Sequence, residues 1–213
     1  MTEHKDLSSF RKEYVRSVLH ESDVPADPLT LFNQWLDEAI AQQQPEPNAM
    51  TLATVKPGGR PAARVVLLKE VSEGGFVFYT NYESAKGQEL EVNPHASLVF
   101  LWLGLQRQVR VNGWVKKVSP ETSDAYFAVR PRNSQIGALV SPQSSVISGR
   151  EELEQRFEEI SRQASPVGRP PYWGGYRLTP DSIEFWQGRE SRLHDRLLYT
   201  KQDDQWHMVR LAP

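Results

Sequence analysis

Apolar positions recur along this chain with two different periods, and the change of period marks the elements. From Asp27 the spacing is helical: Phe32, Trp35, Leu36, Ala39 and Ile40 fall on one predicted face, Asp27 can cap the start and Pro28 suits the first helical position. The run Gln42 to Pro47 ends that helix. Ahead of it, residues 1–26 are polar and mixed in charge around Arg11-Lys-Glu-Tyr14, and read as a mobile arm with room for one helical turn. Residues 27–213 read as a single domain.

Strand periodicity takes over at Met50. Met50 to Lys56 and Pro61 to Val71 flank the turn Pro57-Gly-Gly59 and predict a hairpin, and Phe76 to Thr80 follows Glu73-Gly-Gly75. A short helix from Ser84 must stop before Pro94. Ala96 to Leu103 is apolar throughout, as in a strand covered on both faces, whereas Gln108 to Val118 alternates: Val109, Val111, Gly113 and Val115 point one way, Gln108, Arg110, Asn112 and Trp114 the other. Ser119-Pro-Glu starts a helix that ends at Arg130-Pro131. Beyond the polar loop Ser141 to Ser148, residues 150–163 predict a charged helix with a narrow stripe of Leu153, Phe157 and Ile160. Pro166 to Pro171 is a linker, and strands return from Tyr176 to Leu211 with a turn at Asp203-Asp-Gln205. Seven or eight strands joined mostly by short turns, with helices between them, predict a mainly β fold with helices (α+β), built as a closed or nearly closed antiparallel barrel.

Composition narrows the partners. A net charge of −2 gives no global attraction to nucleic acid or an anionic membrane, so any basic cluster must act locally, and a small anionic ligand is the better partner. The absence of cysteine removes disulfides, thiolate nucleophiles and cysteine metal sites, and fits a reducing compartment. The first residues lack an apolar signal core and the longest apolar run is too short to span a bilayer, which makes a cytoplasmic protein the expectation. No Walker or dinucleotide fingerprint, zinc helix or nucleophile elbow is present, the five histidines are scattered, and no metal is expected.

The densest chemistry lies in Ile183 to Arg196, where a strand containing Phe185 and Trp186 breaks at Gly188 and is followed by Arg189, Arg192, His194 and Arg196. Tryptophan offers a stacking face, arginine a fork for phosphate or carboxylate, and histidine titrates near neutrality, so a flat anionic ligand fits; a solvated, salt-bridged loop fits the same composition. Arg64 and Lys69 bracket an apolar strand but sit an odd number of residues apart, on opposite faces if the strand is regular. Tyr79-Thr80-Asn81, Ser84 and Lys86 could hold a phosphate at a helix start, and Tyr126, Arg130, Arg132 and Ser134 around Pro131 could form a second cradle. Plain helix capping and dipole effects account for those residues equally well.

From about Arg11 to Pro213 these segments together resemble the pyridoxamine (pyridoxine) 5'-phosphate oxidase family. The resemblance is carried by Pro25-Ala-Asp-Pro28, Arg64-Val-Val-Leu-Leu-Lys69, Phe78-Tyr-Thr-Asn81, Arg107-Gln-Val109, Arg130-Pro-Arg-x-Ser-Gln-Ile-Gly137, Gln143-Ser-Ser145, Tyr172-Trp-Gly-Gly175, Ile183-Glu-Phe-Trp-Gln-Gly188 and Arg192-Leu-His-Asp-Arg196. It implies an FMN-binding split β-barrel acting as a homodimer with each flavin between subunits. It assigns FMN to Arg64, Val65, Val66, Leu67, Leu68, Lys69, Tyr79, Thr80, Lys86, Gln108, Gln143, Ser144, Trp186 and Arg196. The substrate falls to Lys69, Tyr126, Arg130 and Ser134 at its phosphate and to Arg192, Leu193 and His194 at its pyridine end, Arg192 and His194 serving the chemistry, with Arg11, Lys12, Glu13 and Tyr14 as a lid.

The reaction so implied moves a hydride from C4' of pyridoxamine or pyridoxine 5'-phosphate to flavin N5. Oxygen then takes up the electrons to give hydrogen peroxide, leaving pyridoxal 5'-phosphate directly from the alcohol and, from the amine, an imine that water hydrolyses to pyridoxal 5'-phosphate and ammonia. A flavin- or pyridoxal-phosphate-binding protein without turnover is the alternative, and a nicotinamide-using flavin reductase a third. One position departs from the family pattern: Ser84-Ala85-Lys86 stands where Ser-Arg-Lys is usual, which removes a guanidinium expected at the flavin phosphate.

Overall fold

The computed structural model describes residues 5–9, 13–14, 17–163 and 165–213. Its helices are α1 (Pro28–Ala41), α2 (Ala85–Val92), α3 (Pro120–Val129), α4 (Arg132–Val140) and α5 (Arg150–Ser161). Its strands are β1 (Ala49–Val55), β2 (Pro61–Leu67), β3 (Glu70–Ser72), β4 (Gly75–Asn81), β5 (His95–Trp102), β6 (Arg107–Lys117), β7 (Trp173–Gln187), β8 (Asp195–Gln202) and β9 (Gln205–Arg210). Hydrogen bonding orders the strands β2-β1-β5-β6-β7-β4-β3, with β8 on β7 and β9 on β8.

The chain divides into two compact units. The first takes the described part of residues 1–47 with 100–110 and 182–213; the second takes 48–99 and 111–181. In the first, Asp27 accepts hydrogen bonds from the Leu29 and Thr30 amides and fixes the start of α1. Phe32 packs edge-on to Phe100 at 4.9 Å and Trp35 edge-on to Phe185 at 5.2 Å. The Arg107 guanidinium lies 4.3 Å from the Trp35 ring centroid. Antiparallel pairing of Ile183 with Tyr199 and of Leu198 with Val209 places β7, β8 and β9 side by side. The arm ends in a 3₁₀ turn at Glu21–Asp23, and Leu19 just before it is buried.

In the second unit, β1 pairs antiparallel with β2 (Leu52 with Arg64) and with β5 (Leu52 with Leu98), while β4 pairs with β7 (Phe78 with Tyr176). Gly113 is required where it stands, because a Cβ there would fall 2.1 Å from the Thr179 carbonyl oxygen.

Four local expectations change. Ile40 is 54% exposed and Leu31 takes its place in the buried face of α1, since Ile40 lies one residue, about 100° of rotation, beyond Ala39 at the rim of the stripe. The predicted strand 61–71 breaks at Leu68 and Lys69, where the Leu68 amide bonds to the Asn48 carbonyl and the Lys69 amide to that of Val77, so the chain changes partner. β5 alternates rather than being covered on both faces, with Leu98 and Phe100 fully buried and Leu101 54% exposed. Residues 132–140 form α4, joined to α3 at Pro131, where only the end of a helix was expected. Ile136 and Val140, four residues apart, carry its buried side.

Candidate active site

The second unit gathers the residues suited to phosphate. Ser84 caps α2 by accepting from the Gly87 amide at 3.3 Å, and this directs Lys86 back over the end of β4. The hydrogen bonds that the Lys86 ammonium makes among the described residues go to neutral oxygens: Thr80 Oγ1 at 3.1 Å, Ser84 Oγ at 3.2 Å and Gln143 Oε1 at 2.8 Å. Burial, aided by the Arg64 charge and opposed by Glu89, brings its pKa from an ordinary 10.5 down to about 8. A desolvated ammonium among neutral oxygens is stabilised by an arriving anion.

Next to it lies a cavity of about 330 Å³, lined in part by Asn81, Arg130, Ser134, Gln143 and Trp173. The Tyr79 and Tyr126 rings stack at 3.9 Å, Tyr79 stacks on Trp173 at 5.5 Å, and the Arg130 guanidinium sits 4.5 Å from the Trp173 ring centroid. Arg130 Nη1 is buried with no hydrogen-bond partner among the described residues. Burial also lowers the Arg130 pKa, partly opposed by Tyr126. A buried guanidinium N–H left open costs free energy unless a ligand oxygen takes it. The residues therefore fit a phosphate-bearing ligand. Ser134 is exposed in the first turn of α4.

On β2 the register turns Arg64 and Val66 inward and leaves Val65 and Leu67 exposed. Arg64 Nη2 binds Glu89 Oε2 at 2.7 Å and its Nη1 reaches Thr54 Oγ1, so buried Glu89 fixes this arginine. Leu68 is buried and Lys69 exposed just past the strand end, so the odd spacing from Arg64 to Lys69 meets a break rather than a regular strand. Ser144 adopts a left-handed φ of 73° within the exposed Gln143 to Ser145 loop.

The first unit carries the cationic stretch. β7 ends at Gln187, and the following loop holds Ser191 and Arg192 at left-handed φ values of 54° and 61°, a strained pair for non-glycine residues. Arg192 and Leu193 are exposed, whereas His194 is half-buried with its ring 4.6 Å from that of Trp186. Tyr14 stands 5.9 Å from both the Trp186 and His194 rings; Glu13 is exposed, and Arg11 and Lys12 lie outside the described residues. The Arg189 amide donates to His194 Nδ1 at 3.1 Å, which makes Nδ1 an acceptor and leaves the proton of the neutral ring on Nε2. Burial and the Arg192 charge lower the His194 pKa against the opposing pull of Asp195, favouring that neutral ring.

Two carboxylates hold the arginines of this unit: Asp195, which the sequence places among them as a salt-bridge partner, and Glu184, which sequence reasoning missed. Glu184, 3% exposed, accepts from Arg110 Nη2 at 2.6 Å and from Arg196 Nε at 2.8 Å, so Arg196 is held from behind. Asp195 accepts from Arg189 at 2.9 Å and Arg210 at 2.7 Å. The available signal for Glu184 was a lone acid inside the apolar run Ile183 to Trp186. Gln108 lies half-buried on the face of β6 opposite Val109, as its alternation predicts. Among the described residues no group of three or more His, Cys, Asp or Glu gathers as a metal ion would need, and no helix is long and apolar enough to cross a membrane.

An antiparallel sheet with intervening helices fits the split β-barrel class, and one unit carries a cradle suited to phosphate. Residues 36–164 match the family model described as pyridoxamine 5'-phosphate oxidase, and residues 173–213 match the pyridoxine 5'-phosphate oxidase C-terminal dimerisation region. The chain belongs to the pyridoxamine 5'-phosphate oxidase family, a family of FMN-dependent enzymes. It is 58% identical to a pyridoxine/pyridoxamine 5'-phosphate oxidase of Paraburkholderia phymatum over 97% of this chain and 99% of that one. It is 54% identical to the enzyme of that name from Rubrobacter xylanophilus, over 98% and 97% of the two chains. Among solved structures, PhzG from Burkholderia lata 383, in complex with tetrahydrophenazine-1-carboxylic acid, superposes with a TM-score of 0.90 at 31% identity, covering 93% of this chain and 99% of that one. An FMN-binding protein of Nostoc punctiforme shares the fold with a TM-score of 0.71 at 20% identity, over 89% of this chain and 98% of that one.

Proposed function

We propose that this protein, as a homodimer, oxidises pyridoxamine 5'-phosphate and pyridoxine 5'-phosphate to pyridoxal 5'-phosphate, with oxygen as acceptor and hydrogen peroxide as co-product, the amine also consuming water and releasing ammonia. The observation that carries the reading is the open, buried N–H of Arg130 in a cavity shared with Ser134, a site made for a small phosphate. FMN, when bound, would supply the redox chemistry, accepting a hydride from substrate C4' at N5 and passing the electron pair to oxygen.

The chain's own residues bind, orient and polarise. Lys86, with Thr80 and Gln143 around it, holds the flavin phosphate, while Arg64, aligned by Glu89, the following residues through Lys69, Tyr79 and Ser144 complete that side. Gln108, Trp186 and Arg196 come from the partner subunit's copy of the 183–196 stretch and of β6, which puts each flavin at a subunit interface. Arg130, Ser134, Tyr126 and Lys69 take the substrate phosphate. Arg192 and His194 orient the pyridine end, the histidine offering its Nε2–H rather than acting as a nucleophile. Tyr14 and its neighbours close over that end.

The test is an aerobic assay of the purified yellow protein with each substrate, following pyridoxal phosphate absorbance and peroxide together. Equal amounts of both products are expected. Bound flavin with no peroxide from either substrate would assign a binding protein instead, and consumption of reduced nicotinamide a reductase.

A further inference from the structure

The most densely bonded ion cluster of the first unit lies beside His194 and has no part in the chemistry so far described. Arg210, near the end of β9, spreads its guanidinium over three partners. Nε and Nη2 grip the two oxygens of Glu21 at 2.7 Å each, Nη2 also donates to the Leu19 carbonyl at 2.8 Å, and Nη1 donates to Asp195 Oδ1 at 2.7 Å. Asp195 Oδ2 accepts from the Leu19 amide at 3.1 Å and from Arg189 Nη1 at 2.9 Å. One carboxylate thus ties the arm, strand β9 and the 188–194 loop together. Arg189, whose side chain Asp195 holds, is also the residue whose amide donates to His194 Nδ1.

Two independent observations show the loop needs holding. Ser191 and Arg192 are both in the left-handed region, which persists for non-glycine residues only where surrounding contacts over-determine it. Gly188, at the other end of the loop, is packed so closely that a Cβ would meet the Tyr14 ring at 2.8 Å and Gln106 Cβ at 3.1 Å. Glu21 and Asp195 both ionise more readily than usual. The Arg210 hydrogen bond brings Glu21 down to about 2, while for Asp195 burial works upward and is outweighed by the Leu19, Arg189 and Arg210 hydrogen bonds.

We propose that Asp195, latched through Arg210 to Glu21 of the arm, is a positioning residue for His194. Through Arg189 it keeps the ring in the single tautomer that presents Nε2–H to the substrate, and it docks residues 19–21 of the arm against the same loop. This rests on the proposed role of His194 at the substrate's reacting end.

The experiment uses FMN-loaded protein labelled with nitrogen-15 histidine, the His194 signals being those lost in His194→Asn. Amide exchange at Leu19 and steady-state oxidation of pyridoxine 5'-phosphate are measured alongside. Wild type is expected to show the neutral Nε2–H pattern. Glu21→Gln and Asp195→Asn should each speed exchange at Leu19 by about tenfold or more. Asp195→Asn should also move the His194 signals toward tautomer averaging and lower kcat/KM by about tenfold or more at unchanged FMN content. Glu21→Gln removes only an arm contact and guards against a merely misfolded Asp195 variant. Unaltered Leu19 exchange in Glu21→Gln, or an unaltered His194 pattern in a folded, flavin-loaded Asp195→Asn, would overturn the proposal. If wild type turns over neither vitamin phosphate, the assigned reaction fails while the exchange and tautomer results still decide the positioning role.

Discussion

Arg130 and Lys86 are partly buried cations whose described partners are rings and neutral oxygens. For Arg130 this predicts opposite effects on binding and stability. Arg130→Met should raise KM for the vitamin phosphate by about tenfold to a hundredfold, the equivalent of a charged hydrogen bond of about 1.5 to 3 kcal/mol. The melting temperature of the substrate-free protein should hold or rise, because a desolvated guanidinium with an open N–H is removed. Steady-state kinetics and a thermal melt check this, and an unchanged KM would remove Arg130 from the phosphate site. For Lys86 the prediction is a pH dependence. With its pKa near 8 in the flavin-free fold, the ammonium is charged below that pH and neutral above it. FMN affinity should therefore fall as pH rises through 8, with proton uptake on binding at alkaline pH, whereas Lys86→Met should bind weakly at neutral pH and lose the dependence. Calorimetric titration in buffers of different ionisation enthalpy measures both. The cations themselves were legible in the sequence because their residue types and order match a family pattern. Their carboxylate partners were not: Glu89 lies 25 residues from Arg64, Glu184 lies 74 from Arg110 and Glu21 lies 189 from Arg210, and no local periodicity connects such pairs.

At the scale of elements, helix starts were the most readable features. Asp27, Ser84 and Ser119 all cap as their side chains and the following residues predict. What escaped were changes that depend on tertiary partners. The β2–β3 break follows from Leu68 and Lys69 bonding to different strands, and α4 follows from packing of Ile136 and Val140 immediately after a proline that reads as a stop. The start of α2 carries the one departure from the family pattern. Ala85 is exposed in its first turn, beside the Lys86 whose ammonium reaches Thr80 and Gln143. Ala85→Arg should tighten FMN by about tenfold or more, since a hydrogen bond to a charged group contributes about 1.5 to 3 kcal/mol. Fluorescence titration of the flavin-free variant is the check, and equal Kd values for variant and wild type would mean another cation already fills that role.

For the whole molecule, the proposed flavin set divides between the two compact units, with Arg64 to Lys69, Tyr79, Thr80, Lys86, Gln143 and Ser144 in one and Gln108, Trp186 and Arg196 in the other. If the complementary sets come from different subunits of a homodimer, two inactive variants should rescue each other. Mixed dimers of Lys86→Ala and Arg196→Ala would contain one site free of both lesions and one carrying both, so activity should reappear on subunit exchange. Sites built within single subunits would leave every site damaged and no activity restored. The central claim, that this protein oxidises a vitamin phosphate through its flavin, is tested most directly without oxygen. Anaerobic mixing of the FMN-loaded protein with pyridoxine 5'-phosphate should bleach the flavin absorbance and form one pyridoxal 5'-phosphate per flavin. A flavin that stays oxidised in the presence of saturating substrate would contradict it.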